Sequence, residues 1–194
     1  MRIRELAVPG AYEIIPSRFT DDRGSFFELL RPDLLAEATG DTFAVAQVNH
    51  SVSRRDVIRG IHGTRVPPGQ AKYVTCVRGA LLDIVVDIRA GSPTFGEHVR
   101  TELDADSGRA VYVGDGLGHG FRALTEGATI CYLVGAAFVP GTQLDIDPLD
   151  PELDLPWGLS GPPLISAKDA GAPTLAQHLA AGTLPRWQPS LEVL

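Results

Sequence analysis

The sequence predicts an all-β domain, an antiparallel barrel or sandwich with short peripheral helices and a C-terminal helical tail. Three observations carry that expectation. The 21 glycines and 15 prolines are spread through the 194 residues and punctuate short apolar runs, as turns do when strands follow one another closely. The run Ala80 to Ile88, ALLDIVVDI, alternates with a period of two. No regular alternation of strands with long helical patterns is present to build a parallel sheet.

The elements follow in chain order. Residues 31–39, RPDLLAEAT, read as a helix, because Pro32 sits in the first turn, where its missing N–H costs little, and Gly40 stands just past the end. Strands are expected at 43–49, 71–77, 80–88, 109–113, 120–123 and 129–134. Their turns at Arg78-Gly79, Asp115-Gly116 and Glu126-Gly127 read as hairpins and meanders. In the strand at 80–88, Leu82, Ile84, Val86 and Ile88 share one face and Leu81, Asp83, Val85 and Asp87 the other, so two acids point the same way. Residues 140–163 hold six prolines among acids, Leu and Ile, which predicts an ordered extended wrap. Thr174 caps a last helix that ends near Ala181, before Gly182. The chain reads as a single domain over 1–194: an N-terminal segment 1–50, a core 51–140, and a C-terminal wrap and helix 141–194.

Composition excludes several classes of function. With 44% hydrophobic and 21% charged residues the chain is too apolar for whole-chain disorder. The net charge is −7 and the longest basic run is Arg54-Arg55, so the footprint of a nucleic-acid binder is missing. No apolar run approaches the roughly 20 residues of a membrane span. The start, MRIRELAVPGAYEII, lacks a secretory pattern, so a cytoplasmic protein is expected. Cys76 and Cys131 lie in apolar runs, VTCV and ICYLV, as buried free thiols do. Lys72 and Lys168 are the only lysines among 17 basic residues, which singles each of them out.

The histidines are His50, His62, His98, His119 and His178, and no H-x-H, H-E-x-x-H or C-x-x-C spacing joins them to a metal site. No G-x-G-x-x-G or P-loop follows a strand, and Gly114-Asp115-Gly116 reads as a turn. No G-x-S-x-G elbow is present. What remains is an acid–base set: His62 after Arg59-Gly60-Ile61, Lys72 opening a strand, Tyr132 inside a strand, and Asp169 after Lys168. Taken singly, His62 also reads as a hydrogen-bonded turn residue, Tyr132 as core, and Asp169 and Arg59 as surface charges. Residue types alone do not choose between these readings.

Eight blocks in order do more. DDRGSFFE at 21–28, QVNHS at 47–51, RGIH at 59–62, QAKYV at 70–74, VRGALLDIVVDIRAGSPTFG at 77–96, GLGHGF at 116–121, CYL at 131–133 and LISAKDAGAPTL at 164–175 run nearly end to end. Together they resemble the dTDP-4-dehydrorhamnose 3,5-epimerase family, and most of all its actinobacterial members from antibiotic deoxysugar pathways. The resemblance implies a metal-free, cofactor-free cupin-type β-barrel or jelly roll, and a homodimer that exchanges N-terminal strands. The implied substrate is a dTDP-linked 4-keto-6-deoxyhexose, whose C4 carbonyl acidifies the protons on C3 and C5.

By the same resemblance His62 is the base, Asp169 its orienting carboxylate, Lys72 the ammonium near the C4 oxygen, and Tyr132 the acid on the opposite face. Arg59 and Arg23 match the arginines that hold the diphosphate. Phe26 and Glu28 fall in the nucleotide-contacting stretch, and Gln47, Asn49, His119, Phe138 and Lys168 match pocket positions. The sequence departs from the family pattern at Gly63-Thr64, where an aromatic residue and Gln are common, and at Gly114-Asp115, where a proline is usual. Phe138 also stands where many members carry a tyrosine. Such departures put a one-centre epimerase, at C5 first, beside a full 3,5-epimerase. The alternatives are a 3-only epimerase, a 3,4-ketoisomerase and a non-catalytic binding cupin.

Overall fold

A strand that is apolar on both faces has to lie between two layers, and Ala80–Asp87 is such a strand. Leu82, Ile84 and Val86 enter one hydrophobic cluster while Leu81 and Val85 enter another. The structure is a computed structural model and describes residues 1–188. Its strands are β1 (Arg2–Glu5), β2 (Ala11–Ile15), β3 (Phe19–Asp21), β4 (Gly24–Phe26), β5 (Gln47–Ser53), β6 (Ile58–Thr64), β7 (Lys72–Arg78), β8 (Ala80–Asp87), β9 (His98–Asp104), β10 (Ala110–Val113), β11 (Leu117–Ala123), β12 (Ala128–Val134) and β13 (Gln143–Asp145). Helix α1 (Pro32–Thr39) lies between β4 and β5, and α2 (Ala167–Ala170) and α3 (Leu175–Ala180) follow β13.

The strands form a six-stranded sheet, β1-β2-β10-β7-β12-β5, and a five-stranded sheet, β13-β6-β11-β8-β9, with β3-β4 as a separate two-stranded hairpin. The sheets stack over Val74, Cys76, Leu81, Val85, Leu103, Val111, Phe121 and Ile130. They do not close into a barrel: β1 and β5 end one sheet, β13 and β9 the other, so the sandwich alternative holds and the barrel does not. The expected hairpins are also corrected. Arg78-Gly79, Asp115-Gly116 and Glu126-Gly127 each carry the chain from one sheet to the other, because the strands they join belong to different sheets. A turn signal marks where a strand stops, and whether the next strand pairs beside it or faces it across the core is decided by burial far away in sequence.

Both outer faces are covered. Against the five-stranded sheet, Ile58, Ile61, Ile84 and Val86 pack on Leu144, Ile146, Leu153, Leu155 and Trp157 of the extended wrap. Burial of one such side chain contributes roughly 1.5–3 kcal/mol, which is why a proline-rich segment is held as a third layer. On the other side Leu35 of α1 packs with Ile14, Phe43, Tyr73 and Tyr112. Helix α1 has Pro32 in its first turn and ends at Gly40, whose φ of 77° is the left-handed cap. Thr174 and Gln177 form the capping box of α3.

The strand expected at 43–49 lies at 47–53, since Phe43 leaves the sheet to meet Tyr112 edge-on at 5.5 Å while the polar run after Gln47 pairs with β12. Strand β11 begins at Leu117 rather than Gly120. Gly118 and Gly120 belong in it because a Cβ on either would stand 2.7 Å from Ile61. Both cysteines are free. Strand β1 pairs with β2, and β2 with the same chain's β10.

Candidate active site

The site begins with register. On the five-stranded sheet His119 of β11 and Asp145 of β13 each stand opposite His62 of β6, so the three share the face that looks toward the other sheet. The wrap then folds back: Leu164 forms a parallel bridge to Val57, and Ser166 caps α2 by accepting from the Asp169 N–H. That short helix delivers Asp169, whose Oδ1 accepts from His62 Nε2 at 2.8 Å. Asp145 Oδ1 lies 3.7 Å from the same nitrogen and accepts from Lys168 Nζ at 2.8 Å.

Burial lowers the pKa of His62 from its ordinary 6.5, opposed by Asp169 and Asp145 and assisted by Lys168. With Nε2 engaged by Asp169, the neutral imidazole keeps Nδ1 as a proton acceptor. Lys72 is buried, donates from Nζ to the His62 carbonyl at 3.3 Å, and is pulled down to about 8 by desolvation, with Asp115 and Asp83 opposing.

A second pair lies deeper. His119 Nε2 meets Asp83 Oδ2 at 2.6 Å, both side chains being buried, and among the described residues Asp83 Oδ1 has no hydrogen-bond partner. Asp83 was legible as one of two acids on a single strand face, but nothing local linked it to His119. Asp145 gave no signal, since it comes from a three-residue strand inside the proline-rich wrap.

His62, Arg59, Lys168 and Asp169 line a cleft of about 480 Å³ with Arg54 and Ser166. Arg59 is held by Ser53 Oγ at 3.1 Å. Across the interior, Tyr132 of β12 pairs in register with Asn49 of β5 and packs against the inter-sheet core. Gln47 donates to Asn49 Oδ1 at 2.6 Å and accepts from the Phe138 N–H at 3.5 Å. Phe138 itself is exposed.

Within one chain Arg23, Phe26 and Glu28 do not reach this group. Arg23 is bound to Asp21, Phe26 pairs with Phe19 in the exposed hairpin, and Glu28 faces Arg31 at 3.5 Å. The departure at Gly63 is a matter of packing, because a Cβ there would lie 2.5 Å from Ile88 Cδ1 in the outer cluster. Among the described residues, His62, Asp145 and Asp169 are a trio whose ligand atoms lie within 4.8 Å of one another. All three are already engaged, His62 with Asp169 and Asp145 with Lys168, each at 2.8 Å.

A family model described as dTDP-4-dehydrorhamnose 3,5-epimerase matches residues 5–177. The chain belongs to that family. Over 187 residues it is 50% identical to a dTDP-4-dehydrorhamnose 3-epimerase of Streptomyces niveus, covering 96% of this chain and 90% of the relative. It is 46% identical to a dTDP-4-dehydrorhamnose 3,5-epimerase of Mycolicibacterium smegmatis, over 96% of this chain and 92% of the relative. Among solved structures it resembles ChmJ, a 3'-monoepimerase from Streptomyces bikiniensis in complex with dTDP-quinovose. The TM-score is 0.90 and the identity 46%, over 93% of this chain and 91% of that one. The resemblance read from the eight sequence blocks is thereby established at the level of the family, and members of the epimerase family are isomerases.

Proposed function

We propose that this enzyme epimerises a dTDP-linked 4-keto-6-deoxyhexose at C3, alone or together with C5, in the making of a deoxysugar for an antibiotic. The observation that carries the reading is the placement of the two proton-handling side chains on opposite sheets: His62 on the five-stranded sheet and Tyr132 on the six-stranded one. A sugar ring held between them meets a base on one face and an acid on the other, which is what inversion requires.

In this mechanism His62 removes the proton alpha to the C4 ketone and Asp169 orients the ring and stabilises the imidazolium. The Lys72 ammonium stabilises the enolate oxygen, and Tyr132 returns a proton from the opposite side. Arg59 and Lys168 bind the diphosphate end. The 3-epimerase name of a 50% identical relative supports C3 as the centre inverted, where the sequence by itself ranked C5 first among single centres.

We further propose a homodimer in the cytoplasm. Val48 and Val52 on the edge strand β5 are 59% and 56% exposed, and Phe19 and Phe26 on the hairpin 65% and 67%, an apolar surface suited to a second copy. Such pairing offers a route for Arg23, Phe26 and Glu28 to reach the partner's cleft.

Incubation with dTDP-4-keto-6-deoxyglucose in D2O tests the reaction. Deuterium at C3 only is expected of a 3-epimerase, and deuterium at C3 and C5 of a 3,5-epimerase. Retention of both protons by a protein that binds dTDP contradicts the proposal.

A further inference from the structure

Asp169 stands on a helix of four residues, and among the described residues its carboxylate meets the five-stranded sheet through His62. What holds the preceding wrap is a knot some hundred residues earlier in the chain. Asp56, in the turn between β5 and β6, has a φ of 66°, a left-handed conformation that a non-glycine residue adopts only where its surroundings enforce it. Its carboxylate Oδ1 accepts from Arg122 Nε at 3.0 Å and Nη2 at 2.5 Å. The remaining Arg122 nitrogen, Nη1, donates to the carbonyls of Trp157 at 2.7 Å and Gly158 at 2.6 Å. The backbone of the same turn closes the loop: Leu164 N donates to Asp56 O at 3.2 Å, and Ile58 N to Leu164 O at 2.9 Å. Residues 164–169 then form one wall of the cleft whose other wall is Val57 to His62.

We propose that Asp56 and Arg122 are positioning residues for catalysis: their ion pair clamps the wrap at residues 157–158 and braces the turn whose backbone holds Leu164, and thereby sets the separation between Asp169 and His62. The proposal rests on the reading of His62 and Asp169 as the base and its orienting carboxylate. Guanidinium geometry suits the task, since one planar fork joins a carboxylate on one side to two carbonyls on the other. An Asp169 that drifts by an ångström leaves a neutral imidazole with less defined orientation, a fault that lowers turnover more than substrate binding.

The test uses three single variants in the D2O exchange assay with dTDP-4-keto-6-deoxyglucose. Asp56→Gly keeps the left-handed backbone without strain and removes the clamp, so it folds; kcat for exchange is expected to fall roughly tenfold with KM and dTDP affinity within about twofold. Asp56→Asn keeps an oxygen acceptor for Arg122 and is expected to restore most of kcat. Asp169→Asn is the reference. Wild-type turnover in Asp56→Gly alongside a slow Asp169→Asn overturns the clamp alone. Wild-type turnover in Asp169→Asn overturns the dyad reading beneath it. Equal loss in Asp56→Gly and Asp56→Asn also counts against the proposal, because the rescue depends on the hydrogen bond to Arg122.

Discussion

Two histidine–aspartate pairs lie on the same face of the five-stranded sheet, and their difference assigns the chemistry. His62 is 38% exposed along its side chain and takes its carboxylate from a helix 107 residues away, at the rim of a cleft. His119 is 10% exposed and takes its carboxylate from the neighbouring strand, inside the sandwich. A base has to touch solvent or substrate, whereas a buried pair repays its desolvation by fixing the interior. The comparison teaches where to look: the outer pair is the one proposed to carry turnover, and the inner pair is proposed to hold the interior between the sheets.

Several substitutions break or sharpen that contrast. The largest effect is expected at Lys72. Lys72→Met removes the charge proposed to stabilise the enolate and is expected to cost roughly 10²–10³ in kcat. Because desolvation holds the folded pKa at about 8, below 10.5, the buried charge opposes folding below pH 8, and this opposition is relieved as pH rises from 8 to 10.5. Its cost of about 3 kcal/mol is lifted in Lys72→Met, so urea unfolding at pH 7 is expected to show a variant that is slower yet more stable. A variant that is both slow and less stable speaks against the buried-charge account.

Tyr132→Phe comes next. Inversion is expected to fall roughly 10²-fold while deuterium still enters from the His62 side. Loss of exchange and inversion in equal measure would assign Tyr132 to something other than the returning acid.

The two pairs then separate on stability. Asp83→Ala leaves His119 buried without its partner and is expected to cost about 3 kcal/mol in denaturant unfolding. Asp169→Ala leaves a histidine that water reaches, for about 1 kcal/mol, yet suppresses turnover. A reversed order of the two stabilities contradicts the division of labour.

The smallest effect is on pH. The pKa of His62 lies below 6.5, so the acid limb of kcat/KM is expected below that value, and in Asp169→Asn lower still, because Asp169 favours the charged form. The same depression means that His62 contributes stability above pH 6.5 and loses it as pH falls toward the folded pKa. A limb that rises in Asp169→Asn removes Asp169 as the partner.

Much of this was legible in the sequence, for reasons particular residues make plain. The period-two alternation of Ala80–Ile88 records burial on both faces, and Pro32, Gly40 and Thr174 mark helix ends by backbone chemistry that needs no partner. The turns at Gly79, Gly116 and Gly127 were visible, but their crossing from sheet to sheet was not, since the choice of partner strand is made by the core. Strands β1, β9 and β13 are polar edge strands without an apolar run to announce them. At the candidate site, His62, Lys72, Tyr132 and Asp169 stood out in the sequence as an acid–base set, and the family resemblance supplied the proposed roles that residue types alone left open. Asp145 and the partnering of Asp83 with His119 were missed because each depends on register between strands far apart in sequence.

The most direct test of which pair is the base compares His62→Asn and His119→Asn in D2O with dTDP-4-keto-6-deoxyglucose, following deuterium at C3 and C5 by NMR and dTDP binding by calorimetry. The account predicts that His62→Asn binds dTDP normally and incorporates no deuterium, while His119→Asn still exchanges, more slowly. Persistent exchange in His62→Asn together with its loss in a folded, dTDP-binding His119→Asn would contradict it.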